Sequence, residues 1–225
     1  MKYLSLLCLL LAPLSLSAEE KEEKKRTCRI IYLMRGADDP TEAYLFDGKM
    51  SHKVQLPKLN FSEIIELPAG NITVGMSHDS VDEGEEFPDG APTVAIPEQV
   101  TDVYLLLHKD AKNKVFPIKM RTLNIDDKNL KPGQTLWINL SNHTVASQMG
   151  EERTVIFPSK ISISSPPLKQ SGYFMAEFAY QRNSEGPFLP VIRKSWWFDA
   201  TSKNLGFIVD TGARMPKIFT VRDYR

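Results

Sequence analysis

Residues Val103 to Arg121 read VYLLLHKDAKNKVFPIKMR, and this stretch decides the fold class. Val103 to Leu107 is apolar on both alternating faces, the pattern of a central strand covered from two sides. After a polar loop, Phe116, Ile118 and Met120 share one face, with Lys119 and Arg121 on the other. That is the period-two alternation of a half-buried strand. Ile161-Ser162-Ile163-Ser164 repeats it, as do Phe174, Ala176, Phe178 and Tyr180. Fifteen prolines spread along the chain leave little room for long helices. No segment after the N-terminal apolar run shows a 3.6-residue apolar repeat, so the expected class is all-β.

Turn chemistry divides these strands. Asp47-Gly48 suits a hairpin because both residues tolerate positive φ. Leu67-Pro68-Ala69-Gly70 and Lys131-Pro132-Gly133 each precede a β-rich run. The chain also shows one plan twice. Each half has a Pro/Gly turn followed by a strand, and each ends in an apolar strand, a polar connection and a last strand. Such strand spacing predicts sandwiches. The expected architecture is two tandem β-sandwich domains, residues 27–124 and 125–225, meeting near Ile125 to Asn129. One continuous large sandwich is the alternative. The turn and strand Leu67 to Val74, LPAGNITV, resembles a hairpin of many exported immunoglobulin-like and transthyretin-like sandwich domains of bacterial envelopes. The resemblance covers eight residues; it implies fold class and compartment and carries over no functional residue.

The N-terminus carries a different signal. Met1-Lys2 and the apolar run Leu4 to Ala12 are followed by Pro13 and by small residues up to Ala18. This is the layout of a cleaved signal peptide, residues 1–18, with processing after Ser17 or Ala18. The run is shorter than the roughly 20 apolar residues of a membrane span. Residues 19–26, EEKEEKKR, read as a charged, disordered tether. Removing Lys2 with the signal turns 28 bases against 28 acids into 27 against 28. A chain so balanced offers no electrostatic case for binding nucleic acid or an anionic membrane. Cys28 is the one cysteine left after processing, which excludes an intramolecular disulfide and reads as a small buried hydrophobe in the first strand.

Several short motifs could carry chemistry. Phe207 to Ala213, FIVDTGA, resembles the Asp-Thr-Gly loop of aspartic proteases. Those enzymes need two such loops around one shared proton. This chain has one, with thirteen residues after Gly212, so the string reads as a strand ending in a polar turn. Ser77-His78 cannot act as nucleophile and base, because neighbours in a strand face opposite ways. His52, His78, His108 and His143 show no metal-ligand spacing. Four glycosylation sequons, at Asn60, Asn71, Asn139 and Asn142, matter only in a host that glycosylates. Asp79 to Gly90, DSVDEGEEFPDG, holds six acids and no base. It reads as a solvated, mobile loop, with calcium at Asp79, Asp82 and Glu83 as the alternative, although the spacing fits no EF-hand.

Trp196-Trp197 is the remaining feature. Ile192, Trp196 and Phe198 form an apolar face, while Val191, Arg193, Ser195 and Trp197 form the other. An exposed Trp near Arg is a platform for a glycan or a partner chain. Trp197 and Arg193 are therefore the candidate binding residues. The expected function is that of an exported, periplasmic or envelope-associated protein that binds or scaffolds, without enzymatic activity or a cofactor. Its partner would be an envelope protein or a glycan. An exported hydrolase with its site at the domain interface is the second reading.

Overall fold

The computed structural model describes residues 25–183 and 185–224, which form sixteen strands and no helix. Residues 1–18, read above as a signal peptide, and residues 19–24 lie outside the described residues. The first half contains β1 (Arg26–Tyr32), β2 (Glu42–Phe46), β3 (Ser51–Gln55), β4 (Ile65–Leu67), β5 (Ile72–Ser77), β6 (Thr93–Ile96), β7 (Asp102–Lys109) and β8 (Ile118–Asn124). The second contains β9 (Thr135–Asn139), β10 (Thr144–Met149), β11 (Glu152–Ile156), β12 (Ile161–Ser164), β13 (Gly172–Gln181), β14 (Phe188–Phe198), β15 (Lys203–Val209) and β16 (Lys217–Asp223).

The halves have one topology. In the first, the sheets run β4-β1-β7-β8 and β3-β2-β5-β6. In the second they run β12-β9-β15-β16 and β11-β10-β13-β14, the same orders with eight added to every strand. Even the parallel pairing recurs, β1 with β7 and β9 with β15. Two tandem β-sandwiches of one plan make up the chain.

Side-chain alternation then fixes how the four sheets stack. Val103, Leu105 and Leu107 of β7 join Ile30, Leu45 and Met76 in a core between the first repeat's two sheets. Tyr104 and Leu106 point the other way, into a second cluster with Leu136, Ile138, Leu205 and Phe207 of the second repeat. Trp137, Phe178 and Ile208 centre a third core between the second repeat's own sheets. The result is four layers, outer–inner–inner–outer, in which the two inner sheets are covered on both faces. The all-apolar run in β7 follows from that position. Gly206 of β15 has the same origin: a Cβ there would lie 2.1 Å from the Trp137 ring, so this close approach requires glycine.

Polar groups pin the inner sheets together. Arg29 pairs with the fully buried carboxylate of Asp223, which also accepts the Tyr104 hydroxyl. Lys203, the first residue of β15, meets Asp102, the first residue of β7, at 3.5 Å, and it donates to the Ile125 carbonyl.

One boundary differs from the sequence reading. Arg26, assigned above to the tether, begins β1 and is 2% exposed. Its guanidinium donates to the carbonyls of Val100, Pro68 and Gly70, and burial lowers its pKa. A run of charges cannot show that its last member ends on a cluster of turn carbonyls. The junction near Ile125 to Asn129 is also more enclosed than a linker. Ile125 and Leu130 are buried in the cluster between the repeats, and Asp126 accepts the backbone N–H groups of Thr101 and Asp102.

Candidate functional site

The sheet β11-β10-β13-β14 has an inner face in the third core and an outer face open to solvent. Its register places the outward residues in rows that cross all four strands. One row is Val155, Ala146, Ala179 and Pro190; the next is Arg153, Gln148, Glu177 and Arg193. Small side chains in the first row, flanked by longer ones in the second, leave a groove of about 470 Å³. Pro190 sits beside a register shift on an edge strand, where the missing N–H breaks no ladder bond. That shift also turns Val191 against the core, away from the face on which simple alternation with Arg193 places it.

Farther along the same face the strands pair Met175 with Ser195 and Tyr173 with Trp197. Tyr173 is 71% and Trp197 43% exposed, their rings meeting edge to face at 5.0 Å. Trp196 points the other way, against Phe178 and near Trp137. The Trp197 carbonyl accepts a hydrogen bond from Arg222 of β16, which ties the β14 edge to the inner sheet.

The charges on this face are lightly held. Arg193 pairs with Glu177 at 3.2 Å, and Arg153 donates to Gln148 at 3.1 Å, both exposed. Such surface pairs contribute little stability and exchange readily for other partners. Trp197 and Arg193 share the face, as alternation requires, but four residues of strand separate them by about 13 Å. The groove lies at the Arg193 end. Ala146, Val155, Ala179 and Pro190 escaped the sequence reading because small outward residues carry no signal until register sets them side by side. Tyr173 and Met175, apolar on what should be the polar face of β13, were the legible hint.

The other sequence candidates fall elsewhere. Asp79, Asp82 and Glu83 are exposed; among the described residues, no three His, Cys, Asp or Glu side chains are grouped to hold a metal ion. The acidic segment is also less loose than its composition implies. Ser51 Oγ accepts from the Val81 N–H and donates to the Val81 carbonyl, at 2.8 and 2.9 Å. The Phe87 ring lies on Gly75 and packs against Phe46 at 5.2 Å, so this segment covers the β2-β5 part of the outer face of β3-β2-β5-β6. His78 packs edge-on against Phe116, and the Ser77 hydroxyl donates to the Asp79 carbonyl.

Asp210 of the Asp-Thr-Gly string accepts the Asn142 N–H at 3.0 Å and lies 3.8 Å from the His143 ring. Ser141 is close by, but its buried hydroxyl donates to Asn139 at 2.7 Å. That hydroxyl is committed to holding the β9–β10 turn. Between the repeats, where a hydrolase would carry its site, apolar side chains pack beside the Arg29–Asp223 and Lys203–Asp102 pairs.

No protein-family model matches the chain, and no curated protein matches it. No helix among the described residues is long and apolar enough to cross a membrane.

Proposed function

We propose that this is an exported protein of the periplasm or envelope that works by binding or scaffolding, with the outer face of the β11-β10-β13-β14 sheet as its contact surface. Export is supported by the short apolar run Leu4 to Ala12 with its small-residue cleavage region. Binding is supported by one comparison inside the molecule. The chain lays its own Phe87 segment on the outer face of its first repeat, over Gly75 and Phe46, while the corresponding face of the second repeat presents an apolar groove and two exposed aromatic rings. Exposed apolar surface with a polar rim is the usual mark of an interaction site.

The test compares the two faces. A photoreactive residue is placed at Met175 on the second repeat's outer face, or at Thr73 on the first repeat's outer face. Cross-linking is then performed in the intact host. Cross-linked species from position 175 and none from position 73 is the expected result. Equal yields from both positions, or none from 175, would count against this surface. Intact-mass analysis of the exported protein checks compartment separately, with Ala18 or Glu19 expected at the N-terminus.

A further inference from the structure

We propose that the groove beside Ala146 and Ala179 receives an extended acidic segment of a protein partner, one that presents an aromatic side chain; this rests on the binding reading above. The chain supplies its own precedent. In the first repeat, β5 and β6 are joined by residues 78–92, a connection long enough to return across the sheet and lay Phe87 on Gly75. Glu85, Glu86 and Asp89 flank that ring in sequence. In the second repeat the equivalent connection, between β13 and β14, is only residues 182–187. The face it leaves bare has small residues in both central strands, Ala146 paired with Ala179, where the first repeat has one small residue, Gly75, paired with Phe46.

Charge selects the same occupant. Arg153 on β11 and Arg193 on β14 stand at opposite ends of one row, three strand spacings or about 14 Å apart. That distance is about four residues of extended chain. An aromatic residue flanked by carboxylates at that spacing would put its ring over the alanines and one carboxylate near each guanidinium. Glu85 and Asp89 have this spacing around Phe87. Glu177 holds Arg193 only in an exposed pair, which an incoming carboxylate can replace. Guanidinium–carboxylate pairing then supplies direction as well as attraction.

The probe is a labelled synthetic peptide, DSVDEGEEFPDG, titrated onto the full exported chain and mapped by backbone amide shifts. Shifts at Ala146 and Ala179, weakened about tenfold or more by Phe→Ala in the peptide, by amidating its acids, or by Ala179→Leu in the protein, are expected. Arg153→Glu with Arg193→Glu should weaken binding as well, and raised salt should do the same. Shifts confined to the first repeat around Gly75, or binding indifferent to Ala179→Leu, would overturn the proposal. A basic aromatic peptide and an oligosaccharide panel are run alongside. If one of these moves the groove amides and the acidic peptide does not, the occupant is wrong while the contact surface stands. If no probe moves them and position 175 gives no cross-link, both fall.

Discussion

Because successive strand side chains face opposite ways, Trp196 and Trp197 meet different surroundings one residue apart. Trp196 faces Phe178 and Trp137 in the third core, and its indole N–H is buried without a hydrogen-bond partner among the described residues. Trp197 stands with Tyr173 in solvent. Trp196→Ala should cost about 3 kcal/mol, the lower end for a large aromatic, because β14 is an edge strand and the ring is only half-buried. Trp197→Ala should cost about 1 kcal/mol or less. Urea unfolding of both variants measures this; the reverse order would place the strand one residue out of register. This face assignment was legible from Ile192, Trp196 and Phe198. The displacement of Val191 was not, since a register shift is set by pairing across strands, which one strand's own pattern does not contain.

At the scale of elements, the segment from Asp79 to Gly90 combines a charged composition with an anchored path. Its carboxylates stay in solvent while Val81 and Phe87 hold it to the outer sheet of the first repeat. The composition alone predicts that a protease cuts here first. The anchors predict slow cutting that depends on one ring. Phe87→Ala removes a half-buried phenyl group, whose loss should favour local opening by about tenfold. Digestion with a glutamate-specific protease under native conditions should therefore cleave the variant about tenfold faster at Glu85 or Glu86. Equal rates would mean that Ser51 and Val81 alone hold the segment. Aromatic anchors are hard to see in sequence because their partner, here Gly75, carries no side chain to announce the contact.

At the scale of the molecule, the two repeats should behave as one folding unit, because each covers the other's inner sheet. Separated, each would expose the apolar residues that now fill their shared interface. The whole chain should unfold in a single transition, with calorimetric and van't Hoff enthalpies in agreement. Residues 26–124 and 125–224 produced separately should aggregate or recombine, and the junction around Asp126 should resist proteolysis. Two well-resolved melting transitions, or stable monomeric halves, would break this picture.

The sequence by itself determined the all-β class, the faces of the regular strands and the doubled plan, because these depend on period-two alternation and on turn residues, both local. It also showed that Val103 to Leu107 must be covered twice. What covers the outward side of that strand, another repeat rather than a loop, only the tertiary structure decided. The same holds for the buried fork of Arg26, the glycine under Trp137 and the groove on the outer sheet. Each depends on residues far apart in the chain meeting in space, and no local pattern encodes such a meeting.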